Sequence, residues 1–285
     1  MRHWMLRAVL VLVNISAFAG EGRGQEAGAF EAAKAVPFDL ASDFLVVVNG
    51  GIGNLDGLKF IVDTGSTFSA IDLKVAERLQ LHRSGGRIMN FDRYIPIEWA
   101  DVTELRMGPI RAEGIRVMVM NLANYSEFAK NVDGIIGLDL LSRSKKFTID
   151  YGKRTLYFEP AENGTSHRSV PGGFLVTVVV QGLPIRLCVD TGFRGILLYG
   201  GRLRKRLPKL RTEGEAKTVT IGRIQGISVA LPEVQIGGQE DVMTVVVIDG
   251  PDEDTMQGMD GYLGTASLHA KRIEFDFAKM VLWWQ

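Results

Sequence analysis

One block of sequence, written twice, constrains this chain more than anything else in it. Phe60-Ile61-Val62-Asp63-Thr64-Gly65 is an apolar run that ends in an acid and turns on a glycine. Leu187-Cys188-Val189-Asp190-Thr191-Gly192 repeats it 127 residues later (190 − 63). Asp133-Gly134-Ile135-Ile136-Gly137 is repeated by Asp260-Gly261-Tyr262-Leu263-Gly264 at the same offset (260 − 133). Lys146–Tyr151 is repeated by Arg272–Phe277, with Asp276 following Asp150 by 126 (276 − 150). Three patterned blocks at one spacing mean duplication. A period this long exceeds that of solenoid repeats, so the repeated unit is a domain.

The unit reads as short strands. Asp43–Val48 and Leu58–Val62 flank the Gly- and Asn-rich stretch 49–54, as in a hairpin. Strands broken at Met107-Gly108-Pro109 and Gly114 follow, and Thr155–Phe158 returns along Phe147–Asp150. Leu73–Leu81 has helical apolar spacing and helix-forming neighbours, so one short helix is expected there. The run 161–173 is rich in Gly, Ser and Pro and has the composition of a linker. It divides an N-terminal lobe, 38–160, from a C-terminal lobe, 174–285. The expected class is all-β with short helices, two-lobed by duplication. With 33 basic and 33 acidic residues the chain gives no electrostatic case for a nucleic-acid partner.

Arg2 and Arg7, the apolar stretch from Ala8 to Phe18 and the Ala17-Phe18-Ala19 site make residues 1–19 a secretory signal peptide. Residues 20–37 read as a flexible leader. The expected location is exported, periplasmic or secreted, with no membrane attachment after cleavage. No cysteine follows the cleavage site, which argues against a lipid anchor. Cys188 is the only cysteine, so an intrachain disulfide is impossible, and a buried small hydrophobe is expected. The four histidines lack ligand spacing, and no metal or organic cofactor is expected.

A duplicated unit tends to pack on its copy about a pseudo-twofold axis, which would bring Asp63 beside Asp190. Two carboxyls at hydrogen-bond distance cannot both ionise, so they share a proton and titrate as a pair. One member can then act as a base toward water while the other acts as an acid toward a carbonyl oxygen.

On these residues the chain resembles the pepsin-like and retropepsin-like aspartic proteases, in particular bacterial retropepsin-like domains in tandem. The resemblance spans about residues 40–285 and rests on Asp63-Thr64-Gly65, Asp190-Thr191-Gly192, Ile135-Ile136-Gly137 and Tyr262-Leu263-Gly264. It implies a two-lobed aspartic-protease β-barrel fold, with Asp63 and Asp190 as the catalytic pair holding the water. Thr64 and Thr191 would bond across the lobes, and Gly65 and Gly192 would let backbone pass close behind the carboxylates. Ile135, Ile136, Gly137, Tyr262, Leu263 and Gly264 would buttress the two loops from below. Ser66 would bond the outer oxygen of its aspartate through its hydroxyl, whereas Phe193 stands at the equivalent place in the second lobe. Asp190 should therefore bind a proton more readily.

Flap hairpins are expected within Arg87–Trp99, with Phe91 and Tyr94 as tip contacts or ordinary packing, and within Thr218–Ala230. The basic run Arg202–Arg211 reads as a solvated helix face. Asp249–Asp254 is an acidic loop without calcium-loop alternation. Asn124-Tyr125-Ser126 and Asn163-Gly164-Thr165 are sequons by chance. The Trp283-Trp284 pair reads as strand packing. The expected function is an exported aspartic endopeptidase, a monomer acting on a peptide or protein substrate. The alternative is a non-catalytic protein that binds a peptide or envelope component in a protease-like cleft, which the Phe193 departure favours.

Overall fold

The computed structural model describes residues 35–285 apart from 92, 124–130, 161–172, 208–210, 221, 238 and 249–257. The signal segment, the leader up to 34, the linker up to 172, both sequons and the acidic loop lie outside the described residues.

Short strands and glycine-rich turns give three sheets. Strands β1 (Ala35–Pro37), β2 (Asp39–Ala41), β3 (Leu45–Ile52), β4 (Leu55–Val62) and β5 (Ala70–Asp72) come first, followed by helix α1 (Leu73–Arg78). Then come β6 (Ser84–Asn90), β7 (Arg93–Met107), β8 (Ile110–Met120), β9 (Gly134–Ile136) and the one-turn α2 (Leu138–Leu141). The pair β10 (Ser144–Asp150) and β11 (Thr155–Pro160) closes the first half. The second half runs β12 (Leu175–Val180), β13 (Leu183–Asp190), β14 (Ile196–Tyr199), α3 (Gly200–Arg206), β15 (Arg211–Thr220), β16 (Gly222–Ile236) and β17 (Gln239–Ile248). It ends with β18 (Gly261–Gly264), a 3₁₀ turn over Thr265–Leu268, β19 (Arg272–Asp276) and β20 (Val281–Trp284).

The duplication is visible in the strand order. One sheet runs β2-β3-β4-β9-β5-β8-β7-β6, and another runs β12-β13-β18-β14-β17-β16-β15. From β3 and β12 onward the two orders match strand for strand. Pairings β3–β7 and β12–β16 curl each sheet back on itself. A single strand splits its side chains between two cores, as the period of two requires. In the first half Val46, Phe60 and Val62 enter the main core, while Leu45, Ile61 and Ile135 face a second one. Phe60 is wholly buried, worth about 1.5–3 kcal/mol by apolar transfer.

The third sheet joins the halves in the order β1-β11-β10-β19-β20. Lys146 pairs with Asp276 and Asp150 with Arg272, equally spaced about the pair Thr148–Glu274. At the 126-residue offset Thr148 is the counterpart of Glu274, so the pairing is reciprocal. Phe147 and Phe275 stack there with centroids 4.5 Å apart.

Candidate active site

The sequence carries each aspartate to one place by the same local route. β4 runs parallel to β9, pairing Val62 with Ile136, and Asp63 N adds one more ladder bond to Ile136 O at 2.9 Å. β13 runs parallel to β18 and pairs Asp190 with Gly264. Each strand then breaks in an Asx turn, in which the carboxylate accepts from the amide two residues on. Gly65 N donates to Asp63 Oδ1 at 2.9 Å, and Gly192 N donates to Asp190 Oδ1 at 2.7 Å.

The two turns interlock through their threonines, both fully buried. Thr64 N donates to Thr191 Oγ1 at 3.0 Å, and Thr191 N donates to Thr64 Oγ1 at 3.2 Å. Each hydroxyl then donates across to the other half: Thr64 Oγ1 to Val189 O at 2.8 Å, Thr191 Oγ1 to Val62 O at 2.6 Å. Four backbone groups of two buried strand ends are satisfied this way, which a valine could not do.

Interlocking brings Asp63 and Asp190 together. A Cβ on Gly192 would lie 2.7 Å from Asp63 Oδ2, and one on Gly65 would strike the Asp190 carboxyl. Each glycine is thus required by the other half's carboxylate, a reason the sequence alone supplies only in general terms. Both aspartates are buried, each with its carboxyl against the glycine of the other turn. Burial raises both above the ordinary carboxylate range. Asp63 is drawn back down by Asp190 and by two amides, Gly65 N and Ser66 N, the latter at 3.1 Å. Asp190 is raised further, because the Asp63 charge adds to burial. The two therefore titrate as one pair that holds a single shared proton between its two ionisation steps. Such a pair can take a proton from a water and give one to a carbonyl oxygen.

The lobe asymmetry expected from Ser66 and Phe193 needs a correction. Ser66 Oγ donates to Phe68 O at 2.8 Å, so its contribution to Asp63 is made by the backbone amide. A hydroxyl placed after a turn bonds whichever acceptor the loop presents, and here a carbonyl two residues on is in reach. The Phe193 ring lies in an apolar cluster with Cys188, Leu197, Tyr199, Ile248 and Met259. Burial, with Asp190 and Asp63 nearby, pushes the Cys188 thiol up and keeps it neutral.

Ile135, Ile136, Leu263, Gly137 and Gly264 are buried under the loops. A Cβ on Gly137 would meet the Phe68 carbonyl carbon at 2.6 Å, and one on Gly264 would meet Arg194. Tyr262 differs from a plain buttress. Its half-buried ring meets Phe91 edge-on, with centroids 4.9 Å apart. Phe91 is the turn residue of the β6–β7 hairpin and has φ of +52°. The first hairpin thus reaches from one half to the other. Tyr94 is exposed instead, with the Arg87 guanidinium 5.0 Å over its ring. The second expected flap is the β15–β16 hairpin, whose tip side chains lie outside the described ones.

Two other expectations meet the structure here. The basic run is not a solvated face at Arg202 and Arg206. Arg202 Nε donates to Asp260 Oδ1 at 2.8 Å and Arg206 Nη1 to Oδ2 at 2.9 Å, joined by Arg186 N at 2.8 Å. Burial raises the Asp260 carboxyl, but these three donors outweigh it and hold it below its ordinary value. The helical period that placed these arginines on one face gave no view of the carboxylate beneath it. Trp283 is nearly half exposed, with Lys146 Nζ 5.5 Å over its ring, while Trp284 packs near Gly237. No cluster of three or more potential metal ligands occurs among the described residues.

Residues 46–140 match the family model described as aspartyl protease. The matched residues include Asp63-Thr64-Gly65 and Ile135-Ile136-Gly137. Among solved structures, a retropepsin-like aspartic protease from Rickettsia conorii is 21% identical. It covers 44% of this chain and 86% of its own, with a TM-score of 0.30. An aspartic proteinase from Irpex lacteus is 13% identical over 87% of this chain and 95% of its own, with a TM-score of 0.47. No curated protein matches the chain.

Proposed function

We propose that the protein is an exported aspartic endopeptidase that hydrolyses peptide bonds with a water held between Asp63 and Asp190. One observation carries this reading. Two buried carboxyls from repeated, interlocked Asp-Thr-Gly turns lie each against the glycine of the other turn. The ionised Asp63 takes a proton from the water as it attacks the carbonyl carbon. Asp190 gives its proton to the carbonyl oxygen, and neither residue becomes covalently attached. Collapse of the resulting diol returns a proton to the leaving amine. Thr64, Thr191, Gly65 and Gly192 hold the carboxyls, and the amides of Gly65 and Ser66 stabilise the charge on Asp63. The chain acts as a monomer with an internal pseudo-twofold, a reading supported by the matched strand orders. Export rests on the sequence of residues 1–19. No helix of the described residues is long and apolar enough to cross a membrane.

The test is cleavage of a pool of quenched-fluorescent peptides of random sequence across a pH series. The wild type should cleave, and Asp63→Asn should lose activity by several orders of magnitude while its circular dichroism is unchanged. Full activity in Asp63→Asn refutes the mechanism. Binding of peptides without cleavage at any pH would support the non-catalytic alternative.

A further inference from the structure

The two acidic loops are not held alike. Ser69 is fully buried, and its amide donates to Asp139 Oδ2 at 2.9 Å. Its hydroxyl donates to Asp139 Oδ1 at 2.6 Å, and its oxygen accepts from Gly137 N at 3.1 Å. The backbone around Asp139 reaches back to the same loop. Leu138 N donates to Ser66 O at 2.9 Å, and Asp139 N donates to Thr67 O at 3.2 Å. Residues 66–69 are therefore fixed by donors and acceptors from 137–139, one of them a partly buried carboxylate.

The counterparts 127 residues on are Ile196 for Ser69 and Ala266 for Asp139. Neither can make these bonds. The second loop is held by Gly264 N donating to Gly195 O at 2.7 Å and by Ser267 Oγ reaching Arg194 O at 3.4 Å. The difference coincides with the one in the dyad. Asp63 Oδ1 accepts from two amides of its own loop, Gly65 N and Ser66 N, and Asp190 Oδ1 accepts from one, Gly192 N. The extra donor, Ser66 N, belongs to the residue whose carbonyl Leu138 N fixes.

We propose that Asp139 is a positioning residue: acting through Ser69, it holds the first acidic loop in the shape that keeps Ser66 N on Asp63. Among the described residues the second half has no such latch. The latch makes the carboxyls unequal, giving Asp63 one more amide of its own loop than Asp190 has. It does so without touching substrate. The groups facing the dyad are Cys188 from β13 and Tyr262 from β18, with Tyr199 of β14 behind Tyr262. Burial raises both Cys188 and Tyr262, so neither ionises at acid to neutral pH, and the pH response belongs to the two aspartates.

The test has two arms, and only the kinetic one rests on the peptidase reading. In the first, the full chain is labelled with ¹³C at aspartate carboxyls and titrated by NMR, with Asp63→Asn used for assignment. The wild type should show Asp63 ionising below Asp190. In Ser69→Ala and Asp139→Ala, Asp63 should rise by about one pH unit, the usual scale for losing one hydrogen bond to a charged carboxylate. Asp139→Asn keeps one carbonyl acceptor for Ser69 and should fall between. In the second arm, kcat/KM on the random peptide pool is followed against pH. The acid limb should move upward with Asp63, while the alkaline limb, set by Asp190, moves less. Folding of each variant is checked by thermal unfolding, and Asp139→Asn, which is isosteric, decides the matter if the alanine variants unfold. An unchanged gap between the two aspartates, or a loss of activity equal at every pH, overturns the proposal. A closed gap in a protein that cleaves nothing would uphold the latch and refute the peptidase.

Discussion

Replacing Thr191 with valine tests the interlock at its centre. The side chain keeps its shape and loses its hydroxyl, which donates to Val62 O at 2.6 Å and accepts from Thr64 N at 3.0 Å. Both backbone groups sit at fully buried positions, closed off from bulk solvent. An orphaned buried group costs about 1–3 kcal/mol, so Thr191→Val, which orphans two, should destabilise by about 2–6 kcal/mol. Set against a total stability of about 5–15 kcal/mol, that is a large fraction. For a chain of this size the melting temperature should fall by roughly 4–24 °C, at about 2–4 °C per kcal/mol. Thr64→Val removes a disjoint pair of bonds, to Val189 O and Thr191 N, and should cost a similar amount. The double variant should cost less than the sum, because breaking one threonine lets the loops separate and frees the other. Thr191→Ser keeps the hydroxyl and is the control, expected to lose no more than about 1.5 kcal/mol for the missing methyl. Urea unfolding of the wild type and the four variants measures these values. A Thr191→Val loss below about 0.5 kcal/mol, the level of an ordinary surface change, would refute the claim that the hydroxyls tie the two halves together.

Other outcomes follow from the same geometry. Asp190→Asn should raise the melting temperature at pH 7 more than at pH 4. The folded Asp190 holds its proton above the ordinary value of 3.8, so the wild type loses stability as pH rises from there through its folded pKa, and the amide removes that loss. Asp260 has the opposite sign, with a stabilising contribution present above 3.8 and lost as pH falls through its lowered pKa. Asp260→Ala strands the Arg202 and Arg206 guanidiniums and should cost about 3 kcal/mol near neutral pH, with less difference from wild type in acid, as read by urea unfolding at two pH values. Gly192→Ala places a methyl 2.7 Å from Asp63 Oδ2 and should abolish peptide cleavage, and wild-type kcat/KM would contradict the packing of that glycine against the dyad.

Much of this was readable in the chain itself. A strand needs only alternation and a turn needs only glycine or asparagine, so the hairpins and the all-β class follow from local pattern. The repeat at 127 residues points to Asp63 and Asp190 as a pair. Residues whose role depends on a hydrogen-bond partner were less legible. Ser66 offered a hydroxyl at the expected place, and the loop turned it to Phe68 O. Ser69 and Asp139 lie 70 residues apart and carry no spacing that announces them. Arg202 and Arg206 read as solvent-facing because a helical period gives a face and not what lies beneath it.

By itself the sequence determined that two similar halves would each end a buried strand in an acid, since apolar runs, Asx turns and glycine breaks are local properties of the backbone. Only the tertiary structure decided which groups meet. It set each glycine against the other half's carboxyl, crossed the threonine hydroxyls, and gave Asp63 two amides of its own loop where Asp190 has one. Hydrogen bonds and charges act over a few ångströms in space, and the chain brings residues that close only after it has folded.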